Sequence, residues 1–223
     1  KFVLDVGSND GILLEKLLKK NINCLGIDPS ENVSQIANSN GFKTIVGFFD
    51  EKSVKKIKLD FGNPDLITAS SVFTHLEKPN DFFLNCKSLL CEDGKIIIEV
   101  EYLANIVNDF SFERFYFDRP HYYSLNALIK LAEPYGFRLE DADLINVHGG
   151  SIKAIFTDSD DINMINRFEK QIRIAKKGID VIGSNIVEIA SEKKFPKLIK
   201  KVPSTHEDIK NYMKFRNPIN HMT

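Results

Sequence analysis

Short apolar, strand-forming runs alternate with helix-length amphipathic stretches from residue 2 to about residue 157, and this alternation predicts βαβ units wound around a parallel sheet. Runs at 2–6, 24–27, 44–46, 66–69, 95–100, 138–147 and 151–156 read as seven strands. Between them, 12–20 sets Leu13, Leu14, Leu17 and Leu18 at helical spacing, Ser30 stands where it can cap a helix reaching residue 39, and 81–90 and 125–135 complete the helices. Right-handed crossovers lay such helices on both faces of the sheet. Only a Gly-Gly turn separates the last two runs, so the final strand returns as a hairpin and adds one antiparallel strand to an otherwise parallel sheet. The expected fold is therefore α/β, a seven-stranded mixed sheet with its last strand antiparallel.

The pattern changes after Asp158. Residues 162–189 read as a long helical stretch rich in Lys, Arg, Asn and Ile, followed by a tail punctuated by Pro196, Pro203 and Pro218. The division this predicts is 1–158 for the sheet domain and 159–223 for a C-terminal helical appendage and tail. The overall balance of 30 basic and 31 acidic side chains hides a split, because residues 1–159 hold 17 and 23 of them and the rest 13 and 8. A basic tail can attract phosphates or nucleic acid, but such a run is commonly a solvated helix face. It also lacks the dense basic and aromatic alternation of single-strand platforms, so nucleic acid is not the expected partner.

No apolar run approaches the ~18 to 20 residues that span a bilayer, and membrane insertion is not expected. Cys24, Cys86 and Cys91 form no Cys-x-x-Cys pair and have no His at ligand spacing, so no metal site and no disulfide framework is expected. A reducing cytoplasm is the expected location. The chain opens in mid-strand at Lys1-Phe2-Val3-Leu4 with no leader pattern before it, which suggests a missing N-terminal piece.

The segment Leu4-Asp5-Val6-Gly7-Ser8-Asn9-Asp10-Gly11 closes the first strand and opens the first helix, where a doubly wound sheet binds ligands. Further on, Gly26-Ile27-Asp28-Pro29 ends the second strand on a carboxylate able to accept both hydroxyls of a ribose. Dinucleotide binders use Gly-x-Gly-x-x-Gly to bring backbone against a pyrophosphate. Here Gly7 and Gly11 bracket Ser-Asn-Asp, with Asn9, tolerant of left-handed backbone, at the middle-glycine position. S-adenosylmethionine has no phosphates to cradle, and Asp5 or Asp10 can meet its ammonium group. This cofactor is preferred over a nicotinamide one, with an ordinary tight turn as the plain alternative.

Read in order, Asp-Val-Gly-Ser-Asn-Asp-Gly, Gly-Ile-Asp-Pro-Ser, Gly47-Phe48-Phe49, Ser71-Val72-Phe73-Thr74-His75-Leu76 and Val147-His148-Gly149-Gly150-Ser151 resemble class I S-adenosylmethionine-dependent methyltransferases, which have a Rossmann-like core. More narrowly, the chain resembles the sugar C-methyltransferases that act on nucleotide-linked deoxysugars, over roughly residues 2–157. Those proteins usually add an N-terminal cysteine-rich zinc domain and a C-terminal Rossmann-like domain, neither of which is recognisable here. The resemblance implies a cofactor site built from Asp5, Gly7, Asn9, Asp10, Gly11, Asp28, Pro29, Phe48, Phe49, Ala69 and Ser70. It places His75 in the acceptor pocket and His148 and Gly149 against the substrate.

The family's catalytic segment, approximately Phe-Asp-x-Ile-Tyr-His-Glu-His-x-x-Tyr-Phe-Ser, aligns with Phe112-Glu113-Arg114-Phe115-Tyr116-Phe117-Asp118-Arg119-Pro120-His121-Tyr122-Tyr123-Ser124. Tyr116 is matched, Asp118 shortens the Glu, and Arg119 replaces the His that is the family's candidate base. An Arg cannot accept a proton at working pH, so His75, Tyr116, Asp118 and His121 are the surviving catalytic candidates. Arg119 reads either as a clamp for an anionic acceptor or as a salt-bridge partner of Asp118 or Glu113. The aromatic stripe Phe110, Phe112, Phe115, Tyr116, Phe117, Tyr122 and Tyr123 reads as part core and part lid.

The expected activity is methyl transfer from S-adenosylmethionine to oxygen or carbon of a small sugar-linked, anionic acceptor, in deoxysugar or surface-polysaccharide biosynthesis. The rivals are a non-catalytic subunit that keeps the cofactor loop and an RNA methyltransferase using the basic tail. The oligomeric state is left open.

Overall fold

A computed structural model gives the fold of residues 1–158; the predicted appendage, and with it the 158/159 boundary, lies outside the described residues. The strands are β1 (Phe2–Val6), β2 (Asn23–Asp28), β3 (Thr44–Val46), β4 (Leu66–Ser70), β5 (Lys95–Glu101), β6 (Phe137–Ile145) and β7 (Ser151–Asp158). They form one seven-stranded sheet in the order β3-β2-β1-β4-β5-β7-β6. β1 to β5 pair parallel, and β7 runs antiparallel to both β5 and β6, as the hairpin argument requires. The chain winds outward from β1 to β3, then returns to place β4 on the other side of β1. A crevice for ligand opens at such a reversal, beyond the carboxyl ends of the strands.

The helices are α1 (Ile12–Leu18), α2 (Glu31–Ser39), α3 (Glu51–Asp60), α4 (Pro79–Leu89), α5 (Leu103–Asn108) and α6 (Leu125–Ala132). Alternation along the strands divides the core. Leu4, Ile67, Ile96, Ile98 and Val100 pack with Val54 and Ile57 of α3, Phe83 and Leu89 of α4, and Leu125 and Leu128 of α6. Val3 and Cys24 pack with Leu14 of α1 in a second, smaller cluster. Phe83 anchors the larger one, its ring 5.7 Å from Phe73 and 5.9 Å from Phe156 in edge-to-face contacts. No helix among the described residues is long and apolar enough to cross a membrane.

Two helices were not evident from apolar spacing. α3 is lysine-rich and buries only Ser53, Val54 and Ile57, so its periodicity is thin. Its start is nonetheless encoded, because Asp50 accepts from Ser53 N–H at 2.8 Å while Ser53 Oγ accepts from Asp50 N–H at 3.0 Å, a reciprocal cap. α5 spans six residues and buries one, Ile106. Ser30 occupies the N-cap position of α2, but its hydroxyl does not cap: it donates to Asn32 Oδ1 at 2.6 Å, and its own N–H is drawn to Asp28.

Candidate functional site

β1 ends inside the sheet and must turn sharply into α1. Gly7 makes the turn at φ +74°, its N–H donating to Ile27 O at 2.8 Å, and a Cβ there would lie 2.7 Å from Val72 Cγ2. Asn9 follows at φ +50° and Gly11 at φ +87°, the latter at the N-cap of α1. The left-handed backbone at Asn9 turns its N–H onto Asp28 Oδ2 at 2.9 Å, while Ser30 N–H meets Asp28 Oδ1 at 2.9 Å. The Asp28 carboxylate, 8% exposed, is thus fixed from both sides at the end of β2, and each oxygen keeps a lone pair for a further donor. A carboxylate held in this way can accept from both hydroxyls of a ribose, so the residues present fit a nucleoside-bearing cofactor.

Asp5 lies deeper, on β1 beneath the loop, and accepts from Thr68 Oγ1 at 2.6 Å. Burial pushes its carboxyl up from 3.8 to about 6, with Asp28 adding to the rise and the Thr68 hydrogen bond opposing it. Asp10 and Pro29 are exposed on the flanks of the crevice, and Phe48 is 72% exposed beyond β3. Phe49 is half-buried, its ring packed 5.6 Å from Phe82 against the core. Ala69 is buried at the end of β4, and exposed Ser70 leads into Ser71, at φ +58°.

Residues 109–124, which contain the segment aligned with the family's catalytic one, are anchored at three places. Behind β4, His75 closes a 3₁₀ turn (Phe73–His75), and its Nδ1 lies 3.1 Å from Asp118 O and 3.7 Å from Asp118 Oδ2. A carbonyl only accepts, so Nδ1 carries the proton in the neutral ring and Nε2 keeps its lone pair. At the end of β5, Arg119 Nη1 lies 2.6 Å from Glu101 Oε1, with the guanidinium 4.6 Å from the Tyr116 ring centre. In the β6–β7 turn, His148 O accepts from Arg114 Nη1. His148, Gly149 and Gly150 all have positive φ, and a Cβ on Gly149 would run into the Arg114 guanidinium. Tyr122 braces the segment by accepting from Tyr116 N–H at 2.7 Å and donating to Arg114 O at 2.8 Å.

A family model described as "Methyltransferase domain" matches residues 1–142. The chain belongs to that family. The chain is 31% identical over 150 residues to the C-methyltransferase NovU of Streptomyces niveus, covering 67% of this chain and 36% of that protein. It therefore spans about a third of NovU's length. It is 26% identical over 180 residues to the ubiquinone biosynthesis O-methyltransferase of Coxiella burnetii (strain RSA 331 / Henzerling II), covering 74% of each. Among solved structures it resembles a SAM-dependent methyltransferase from Archaeoglobus fulgidus (TM-score 0.57, 16% identity, 71% of this chain and 86% of that one). It also resembles magnesium protoporphyrin IX methyltransferase from Synechocystis PCC 6803 with bound SAH (TM-score 0.56, 14% identity, 70% and 74%). The sheet order, the glycine loop and these relatives identify a class I S-adenosylmethionine-dependent core, with S-adenosylmethionine as its cofactor.

Of the residues expected to act together, the fold brings His75 against Asp118 and places Arg119 over Tyr116. His121 is set apart, half-buried with its ring 6.0 Å from Tyr123. Arg119 pairs with neither Asp118 nor Glu113: its anion is Glu101, which sequence reasoning missed. The signal was present in Ile96-Ile97-Ile98-Glu99-Val100-Glu101, an apolar strand that ends on two acids of one face. The aromatic stripe divides by register. Tyr123 is 4% exposed and packs 5.1 Å from Phe73, whereas Phe110, Phe112, Phe115, Tyr116 and Phe117 are exposed.

Proposed function

We propose that this chain transfers the methyl group of S-adenosylmethionine to a hydroxyl of a small, sugar-linked, anionic acceptor, in deoxysugar or surface-polysaccharide biosynthesis. When bound, the cofactor supplies an already activated methyl on a sulfonium. The protein's task is then to hold the acceptor oxygen in line with that methyl, and positioning of this kind carries much of the acceleration. Asp28 would hold the ribose, Asp5 and Asp10 would face the ammonium group, and Gly7, Asn9 and Gly11 would let backbone approach the methionine end. Pro29, Phe48, Ala69 and Ser70 would flank the adenosine. Phe49, half-buried against Phe82, would support that wall.

The observation that carries the choice of oxygen is the Arg119–Glu101 ion pair at the position where the sugar C-methyltransferases have their candidate base. A guanidinium held by a buried carboxylate cannot remove a carbon-bound proton. A hydroxyl needs less help, because its acidity rises as the bond to the methyl forms. His75 Nε2 would take that proton, a role supported by the contact of its Nδ1 with Asp118 O at 3.1 Å. Tyr116 and His148 would line the acceptor side with Gly149, and His121 would act only after a shift of the loop. The likeness to an O-methyltransferase over 74% of both chains supports the same choice. The likeness to sugar C-methyltransferases supports the sugar.

Mass spectrometry of products from the labelled donor and a panel of nucleotide sugars and sugar phosphates tests this. A product methylated on oxygen is expected. A product methylated on carbon, accompanied by exchange of the neighbouring proton with deuterated solvent, would overturn the oxygen assignment.

A further inference from the structure

Register places a row of polar side chains along one face of the sheet at its carboxyl edge. Asp5 pairs with Thr68, Thr68 with Ile97 and Ser70 with Glu99, so the face that carries Asp5 continues through Thr68, Ser70 and Glu99 to Glu101. The row is rich in acceptors, and it runs from the donor half of the crevice, at Asp5, to the segment that carries Tyr116, Asp118 and Arg119. Glu101 is its last member, and its side chain is 9% exposed. Arg119 Nη1 lies 2.6 Å from Oε1 as an ion pair, while Oε2, like Arg119 Nε and Nη1, is buried with no hydrogen-bond partner among the described residues. A buried carboxylate oxygen left unpaired is costly, and a hydroxyl donor supplied by a ligand would relieve it.

We infer that Glu101 is an acceptor-binding residue: its free Oε2 receives a hydrogen bond from a hydroxyl of the methyl acceptor, while Arg119 holds the other oxygen and fixes the carboxylate's orientation. The ligand class is a hydroxyl-bearing small molecule, with the bonded hydroxyl either the reacting one or its neighbour on the same ring. Arg119 then serves the acceptor through Glu101 rather than by clamping an anion itself. Specificity follows, because a compound with no hydroxyl at that place leaves Oε2 unpaired and is rejected. The inference rests on the reading of the crevice as a methyl-transfer site.

The test uses tritiated S-adenosylmethionine with UDP-glucose, GDP-mannose, glucose 1-phosphate and catechol as acceptors, and calorimetry with S-adenosylhomocysteine for the donor side. In Glu101→Gln, Arg119 keeps the remaining oxygen and an amide faces the acceptor, so a charge-assisted bond is lost. The KM of whichever compound wild type methylates should rise roughly 10- to 100-fold, with donor affinity within about twofold. Because that variant leaves Arg119 without its full anion, the pair is also removed together in Glu101→Met with Arg119→Met. Its melting temperature should match or exceed that of Glu101→Gln while the acceptor KM stays raised.

An unchanged acceptor KM in Glu101→Gln, or a wild-type KM in the double variant, would overturn the inference and leave the proposed activity standing. Transfer to catechol alone would overturn the sugar assignment, and the same KM comparison would still decide the role of Glu101. Transfer by wild type to none of the four would overturn both.

Discussion

Replacing Asp5 by Asn should make the protein more stable near neutral pH and leave it unchanged in acid. Asp5 is 5% exposed and its carboxyl titrates at about 6 instead of 3.8, chiefly because burial disfavours the charged form. Between those two values the folded chain binds a proton that the unfolded chain has released, so this group's contribution to stability falls as pH rises through the window. The gap, at about 1.4 kcal/mol per pH unit, amounts to ~3 kcal/mol lost by about pH 7. Asn removes the titration and the repulsion from Asp28, and its carbonyl oxygen can still accept from Thr68 Oγ1. Urea unfolding of both proteins at pH 4.0 and 7.5 measures the effect. The variant's advantage should be near zero at the lower pH and approach ~3 kcal/mol at the higher. Donor affinity should fall in the same variant, since the charge that strains the fold is the one proposed to meet the ammonium group. An advantage that is the same at both pH values would refute the reasoning.

Three further outcomes are expected. Asp28→Ala should weaken S-adenosylhomocysteine binding by roughly 10- to 100-fold in calorimetry, the loss of one charge-assisted bond or more, and unaltered affinity would remove Asp28 from the ribose site. Gly7→Ala forces a Cβ to within 2.7 Å of Val72 Cγ2 at φ +74°, which should destabilise by about 2–4 kcal/mol in denaturant unfolding through strain and overpacking combined. His75→Ala should lower turnover by roughly 10²- to 10⁴-fold with near-normal donor affinity; full turnover would show that His75 is not the base.

Sequence alone determined the sheet and the donor half of the crevice, because both rest on short-range rules. Strand runs bounded by Gly and Asp, helix-length spacers and a Gly-Gly turn leave few ways to wind a chain, and the seven strands lie within two residues of their predicted limits. Gly7, Asn9 and Gly11 were legible for the same reason, since a turn from strand to helix needs left-handed backbone there. Tertiary structure decided the contacts of the segment proposed to meet the acceptor. The pairing of Glu101 with Arg119, the meeting of His75 with Asp118, and the hold of Arg114 on His148 join residues 18 to 43 positions apart through the ends of different strands. No local periodicity records which arginine meets which acid. α3 escaped because a capping box encodes its start while lysines fill its surface. Phe49 packs against the core because its ring meets Phe82 of α4, a contact that exists only once the helix has packed on the sheet.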